Sequence, residues 1–238
     1  MKIDVHFTPL GLSGEAPGRG VIVLDVLRST TTIVMALANG AKAVVPAASS
    51  EEAVRMTSNL QRDGFLLAGE RKSLKIPGFA LGNSPREMTP EVVAGKTVFL
   101  ATTNGTPALV ACADGGPVLV GGAINFSALA DRARELFAAQ GDLVIVCAGR
   151  EGRFALEDAY TAGRIVKAVK KGIRKIDLND AATVALGLTT EYTNWSEAFE
   201  ASDAARQLEE AELGEDVAFC AKADRCAVVP TYADRRIT

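Results

Sequence analysis

Gly20-Val21-Ile22-Val23-Leu24-Asp25-Val26-Leu27-Arg28-Ser29-Thr30-Thr31-Thr32 runs from consecutive apolar, mostly β-branched residues into a carboxylate, an arginine and a row of hydroxyls. A strand that is apolar at every position has both faces covered, which is the condition of a parallel sheet between helices. Leu143-Val144-Ile145-Val146 repeats the pattern. Working outward, short β-branched runs alternate with longer amphipathic ones, predicting strands at 2–7, 20–25, 43–46, 65–69, 97–101, 118–121, 143–147 and 227–230. Helices are expected over 29–39, 50–62, 85–94, 106–113, 126–139, 155–170, 179–187 and 196–212. Repeated βα units of this kind predict an α/β fold with a mostly parallel sheet flanked by helices. The Glu- and Ala-rich stretch after about 175 reads differently. It is expected to form a smaller C-terminal α/β subdomain, 176–238, helical with a short final strand, beside a core of 1–175.

Composition narrows the function. At 238 residues the chain can bury a sizeable core without disulfides or structural metals. With 26 Lys+Arg against 29 Asp+Glu, and no Lys/Arg-rich run in this reading, nucleic acid and membrane surfaces are not expected partners. Aromatic residues make up 5%, too few for a platform that stacks bases or sugars. The single histidine, His6, lies in the strand-like Ile3-Asp4-Val5-His6-Phe7, where a structural role is expected. Without a second His, zinc sites of the His-rich kind and Ser-His-Asp triads are hard to build. Cys112, Cys147, Cys220 and Cys226 form no C-x-x-C pair, and no signal peptide is visible, so reduced thiols and a cytoplasmic setting are expected. A homo-oligomer is the default for an enzyme of this size.

The polar clusters fall at strand ends. Asp25 to Thr32 follows the strand at 20–25, Gly69-Glu70-Arg71 follows 65–68, Thr102-Thr103-Asn104-Gly105-Thr106 follows 97–101, and Cys147-Ala148-Gly149-Arg150 follows 143–146. In an open parallel sheet those carboxyl ends share one edge, where ligands bind in α/β folds, so the clusters are expected to converge. Ser29, Ser84 and Thr106 each have a plainer reading as helix caps, Ser84-Pro85-Arg86-Glu87 and Thr106-Pro107 being cap-then-proline signals. Caps and anion seats overlap, because a helix N-terminus presents free N–H groups and a partial positive charge to phosphate or sulfonate oxygens. Arg28 could add a bidentate fork.

The carboxylates point the same way. Asp25 ends an apolar strand, a costly place for a charge unless it is paired or holds a cation. Glu70 stands at the corresponding place on another strand, and Asp158 heads the apolar stripe of the helix expected over 155–170. Glu157 lies about 100° round that helix and is expected to be solvated or ion-paired. Convergent carboxylates with hydroxyl-lined anion seats describe a magnesium-phosphate site. The structural alternative is a set of ion pairs, Asp25 with Arg28 and Glu70 with Arg71. No Walker or Rossmann glycine motif is present, and Leu27 stands where an aspartyl-nucleophile phosphatase would carry a second Asp. Cys147 and Arg153 have the Cys-x5-Arg spacing of cysteine phosphatases, but neither a flanking His nor a capping hydroxyl is there to lower the thiol pKa.

Asp25-Val-Leu-Arg-Ser-Thr-Thr-Thr, Gly69-Glu-Arg, Gly82-Asn-Ser-Pro85, Thr102-Thr-Asn-Gly-Thr106 and Cys147-Ala-Gly, followed by Glu157-Asp158, together resemble the 2-phosphosulfolactate phosphatase family. The resemblance spans residue 25 to about 163 and extends more weakly to the end. It implies a magnesium-dependent acid phosphatase that hydrolyses (2R)-2-phospho-3-sulfolactate to 3-sulfolactate and phosphate in coenzyme M biosynthesis. Ser29 stands where family chains commonly have Ala. The expected roles are a metal pool of Asp25, Glu70 and Asp158, with Asp25 alternatively the nucleophile and Arg28 stabilising charge in transfer. Ser29, Thr30, Thr103, Asn104, Gly105 and Thr106 would hold the anionic ends of a small phosphorylated acid, helped by Asn83 and Arg150. Two other readings stay open, a metal-free phosphatase using Cys147 and a non-catalytic small-anion-binding protein.

Overall fold

The computed structural model describes residues 1–10, 12, 18–113 and 118–238, the side chain of Arg62 excepted. In chain order the strands are β1 (Lys2–His6), β2 (Gly20–Leu24), β3 (Ala43–Ala47), β4 (Phe65–Arg71), β5 (Leu74–Lys75), β6 (Thr97–Ala101), β7 (Val118–Val120), β8 (Asp142–Cys147), β9 (Asp177–Leu178), β10 (Thr231–Ala233) and β11 (Arg236–Ile237). The helices are α1 (Ser29–Ala38), α2 (Ser50–Thr57), α3 (Pro90–Val93), α4 (Gly105–Ala111), α5 (Phe126–Gln140), α6 (Leu156–Lys170), α7 (Asp180–Glu191), α8 (Trp195–Glu200), α9 (Asp203–Glu210) and α10 (Gly214–Cys220). All strands join one sheet in the order β5-β4-β6-β3-β11-β10-β7-β2-β8-β1-β9.

The expected α/β architecture is present, with a reversal that the apolar pattern could not show. β4, β6 and β3 form one parallel block, and β7, β2, β8, β1 and β9 a second. The C-terminal hairpin β10–β11 joins them through three successive antiparallel pairings, so the blocks run in opposite senses. In a flat sheet this would send their carboxyl ends to opposite edges. Yet Thr102, after β6, bonds Ser29, after β2, at 3.2 Å between hydroxyls. Helices α1 and α4 bridge the junction by touching strands of both blocks.

β2 shows why the opening stretch reads as doubly buried. Val21 and Val23 face the core under α1 and α4, with Ile33, Ala108 and Leu109. Ile22 and Leu24 face the opposite core under α5 and α6, with Leu136, Phe137, Ile165 and Val166. The segment 176–238 is built into both halves: Ala182, Trp195, Phe199 and Leu208 belong to the second core, and β10–β11 sit mid-sheet.

Some element bounds differ from expectation for local reasons. The helix expected over 196–212 is broken between α8 and α9, where Ser202 accepts from the Ala205 amide and starts a new helix. The stretch 85–94 is a 3-10 turn at Pro85–Glu87 followed by α3, and α10 falls where no helix was expected. The final strands lie at 231–237, beyond the expected 227–230. One composition reading needs amending: 167–175 reads Lys-Ala-Val-Lys-Lys-Gly-Ile-Arg-Lys, a local basic run. Lys167 and Lys170 stand in the last turn of α6, where cations complement the helix dipole. Among the described residues no helix is long and apolar enough to cross a membrane.

Candidate active site

The chain leaves β2 at Leu24 and turns directly into α1. Asp25, at the turn, is buried, and its carboxylate is held by the helix it precedes: Ser29 donates its hydroxyl to Oδ2 at 2.9 Å and its amide to Oδ1 at 3.3 Å. Thr30 closes the turn in the other direction, accepting from the Asp25 amide at 3.2 Å. Thr30 therefore shapes the turn and does not line the cleft. Burial pushes the Asp25 carboxyl up to about 6, opposed by the Ser29 hydroxyl and reinforced by the nearby Glu70 charge.

Glu70 arrives from β4. Its Oε1 accepts from the Thr103 amide at 2.7 Å and its Oε2 from the Ser73 amide at 2.9 Å, so one carboxylate ties two strand ends. Lys72 and Ser73 turn the β4–β5 hairpin with φ of 51° and 68°, left-handed values at two non-glycine positions. Across the cleft, α4 begins against Asp25 and Ser29. A Cβ on Gly105 would stand 2.5 Å from Ser29 Cβ and 2.6 Å from Asp25 Oδ2, so only glycine allows this approach. Gly105 acts by proximity, and Asn104 supplies the N-cap position. Thr106, expected as a cap, is inside the helix, and its hydroxyl is the acceptor for the Thr102 amide at 3.0 Å.

These elements form a cleft of about 440 Å³, its mouth included. Of the expected site residues, Asp25, Arg28, Ser29, Glu70, Asn83, Thr103, Asn104 and Arg150 line it, while Thr30, Gly105 and Thr106 stand behind its wall. Lys72, Ser73, Glu151 and Leu208 line it without having been expected. Lys72 and Ser73 directly follow the Gly69-Glu70-Arg71 cluster, a signal that could have found them; Leu208, from α9, had none. Arg28, which the structural alternative would pair with Asp25, is instead engaged by two acceptors, Asp216 Oδ2 on Nη1 and the Ser73 carbonyl on Nη2, both at 2.8 Å. Arg71 likewise does not pair with the Glu70 carboxylate: its Nη1 donates to the Glu70 carbonyl.

Three other candidate residues lie outside the lining of this cleft. Asp158 does not line the cleft: Oδ1 accepts from the Val26 amide at 2.9 Å and Oδ2 from the Gly149 amide at 3.3 Å, clamping the turns after β2 and β8. Its carboxyl is raised well above the usual range by burial and by the Glu157 and Asp25 charges. Glu157 is not solvated but 4% exposed, because the α8–α9 junction covers that side of α6. Burial pushes it up to about 7, with Asp25 adding to the shift and Arg150 opposing it. It lines a second cleft of about 490 Å³, its open mouth included, whose wall shares Arg150 with the first. Cys147 is fully buried and lines neither cavity, and burial with the Asp158 and Glu157 charges drives its thiol well above the ordinary range. A thiolate nucleophile is disfavoured there.

The cleft offers hard oxygen donors on Asp25 and Glu70. Asn83 adds a third: its Nδ2 donates to Ser29 Oγ at 3.3 Å, while its buried Oδ1 has no partner among the described residues. An open acceptor repels an anion and suits a cation, a use different from the anion-holding one expected for Asn83. Among the described residues no group of three acidic, His or Cys side chains forms a ready cage. Asp25, Glu70 and Asn83 could hold a magnesium ion only as one that keeps several of its waters, not as one fully enclosed by side chains.

Carboxylate, hydroxyl and guanidinium groups at the carboxyl ends of an α/β sheet, beside the first turn of a helix, define an enzyme site for a small phosphorylated anion. The profile of the family described as 2-phosphosulpholactate phosphatase matches residues 7–235, and the chain belongs to that family, a class of phosphomonoester hydrolases. A probable 2-phosphosulfolactate phosphatase of Caldanaerobacter subterraneus subsp. tengcongensis is 42% identical over 89% of this chain and 87% of its own length. One of Clostridium acetobutylicum is 36% identical over 100% of both chains, and one of Thermotoga petrophila 38% over 91% and 90%.

Proposed function

We propose that the chain is a magnesium-dependent phosphatase that hydrolyses 2-phosphosulfolactate, or a closely related small phospho-acid, to 3-sulfolactate and phosphate. The observation that carries the reading is the charge balance of the cleft. Arg28, Lys72 and Arg150 line it together with Asp25, Glu70 and Glu151, so the formal protein charges cancel. A substrate bearing phosphate, sulfonate and carboxylate then needs a further cation, and the donors of Asp25, Glu70 and Asn83 suit one. When bound, magnesium would neutralise phosphate charge and polarise the phosphorus.

Ser29 fixes the Asp25 carboxylate, which serves either as nucleophile on phosphorus or as a metal ligand. Arg28 keeps N–H groups beyond the two already bonded and can meet the phosphoryl oxygens as charge builds. The Arg150 guanidinium makes no hydrogen bond among the described residues and is the cation assigned to the acidic far end of the substrate. The reading carries with it the cytoplasmic setting expected from the cysteines, the homo-oligomeric state expected for an enzyme of this size, and the place in coenzyme M synthesis that the family resemblance implies.

The test is a phosphate-release screen over small phospho-acids, 2-phosphosulfolactate included, with magnesium and with chelator. Turnover of a sulfonated or dicarboxylic phospho-acid that stops on chelation is expected. Turnover indifferent to chelation removes the metal, and binding without turnover favours a non-catalytic anion-binding protein.

A further inference from the structure

We infer that Asp216, on α10, is a positioning residue for phosphoryl transfer that holds the Arg28 guanidinium in the plane from which it meets the phosphate. Asp216 is 0% exposed and uses both oxygens on residues of the cleft or its rim. Oδ2 accepts from Arg28 Nη1 at 2.8 Å, and Oδ1 accepts from the Ser84 hydroxyl at 2.7 Å, next to Asn83 in the wall. Arg28 is 4% exposed, and the Ser73 carbonyl accepts from its Nη2 at 2.8 Å.

A guanidinium is a rigid plane, so acceptors on both terminal nitrogens fix its orientation and leave its other N–H groups for the ligand. A donor held in place before charge develops needs no reorganisation during transfer, which is the source of its catalytic value. Stability alone gives little reason for the arrangement, because a buried ion pair is often no more stabilising than an apolar pair of similar volume. The Ser73 carbonyl points at Arg28 from a left-handed hairpin turn, at φ 68°, so the second acceptor is also built at some conformational cost. Helix α10 would thereby complete a site whose other polar residues lie between residues 25 and 151.

The inference rests on Arg28 acting in the phosphatase cleft. The test is a double-mutant cycle of Arg28→Gln and Asp216→Asn on the full chain, with thermal melts of each variant. Asp216→Asn keeps the shape and is expected to lower kcat tenfold or more while KM stays within about threefold. In the Arg28→Gln background the same change should add nothing, because its target is gone. Wild-type kcat in a folded Asp216→Asn protein, or losses that multiply in the double variant, would overturn the inference and leave the site reading intact. Wild-type turnover in Arg28→Gln would overturn both. If Asp216→Asn does not fold, Ser84→Ala carries the test: a several-fold fall in kcat that vanishes in the Arg28→Gln background supports the positioning role, and an unchanged kcat overturns it.

Discussion

Ser29 holds both oxygens of the Asp25 carboxylate, one by its hydroxyl at 2.9 Å and the other by its amide at 3.3 Å. The hydroxyl favours the charged form against the burial that pushes this carboxyl up to about 6. Removing it in Ser29→Ala must raise that pKa further. If Asp25 works ionised, as nucleophile or metal ligand, the acid limb of the kcat/KM profile should move to higher pH. A loss of about tenfold in kcat near neutrality accompanies it, in line with one hydrogen bond to a charged group. An unchanged acid limb would detach Asp25 from the rate.

Glu157 ties stability to pH. Its carboxyl rises from 4.5 to about 7 in the folded chain, so the folded state binds a proton that the unfolded state has released between those values. Stability from this group is complete below pH 4.5 and is lost as pH rises towards and through 7, on the order of 3 kcal/mol. Glu157→Gln should flatten the fall in melting temperature between pH 5 and pH 7.5. Parallel pH slopes in the two proteins would contradict the burial argument.

Glu70 and Asp158 should separate in their response to magnesium. Glu70→Gln, in the cleft, is expected to raise the magnesium concentration for half-maximal activity about tenfold. Asp158→Asn breaks a backbone clamp, so it should lower the melting temperature and leave that concentration within about twofold. The readout is a magnesium titration of activity beside a thermal melt, and the opposite pattern would return Asp158 to the metal pool.

Two glycine substitutions should diverge. Gly105→Ala drives a methyl into Asp25 and Ser29 and should cost about 1–3 kcal/mol together with most activity. Gly187→Ala, inside α7 with nothing within 4 Å, should stabilise by about 0.5–1 kcal/mol through helix propensity. Denaturant melts of the two proteins decide it.

Cys147→Ser should retain activity within about threefold and lose roughly 1–3 kcal/mol of stability, because it places a hydroxyl in a fully buried, apolar strand. Abolished phosphate release in a folded variant would revive the thiol mechanism.

Much of the site was legible where function and local structure coincide. Asp25, Glu70, Thr103 and Arg150 each follow a run of apolar residues, and a polar residue at the end of a buried strand has few places to go except a sheet edge. Helical geometry placed Asp158 on the inner stripe of α6, yet being inward did not decide whether it met the ligand or the Val26 amide. Glu157 failed as an expectation for a related reason: its exposure depends on Ser202 and its neighbours, which arrive from a different helix pair.

The sequence alone was enough for the long buried strands, most helix starts, and the carboxylates and hydroxyls at strand ends. Those are consequences of side-chain burial and backbone capping within a few residues. Only the tertiary structure decided that the two parallel blocks run in opposite senses and still meet, that Asp158 clamps backbone while Glu157 is covered, and that Asp216 reaches Arg28 across 188 positions of chain. Contacts at that separation leave no local period or spacing to read, because they form only when distant elements have already packed together.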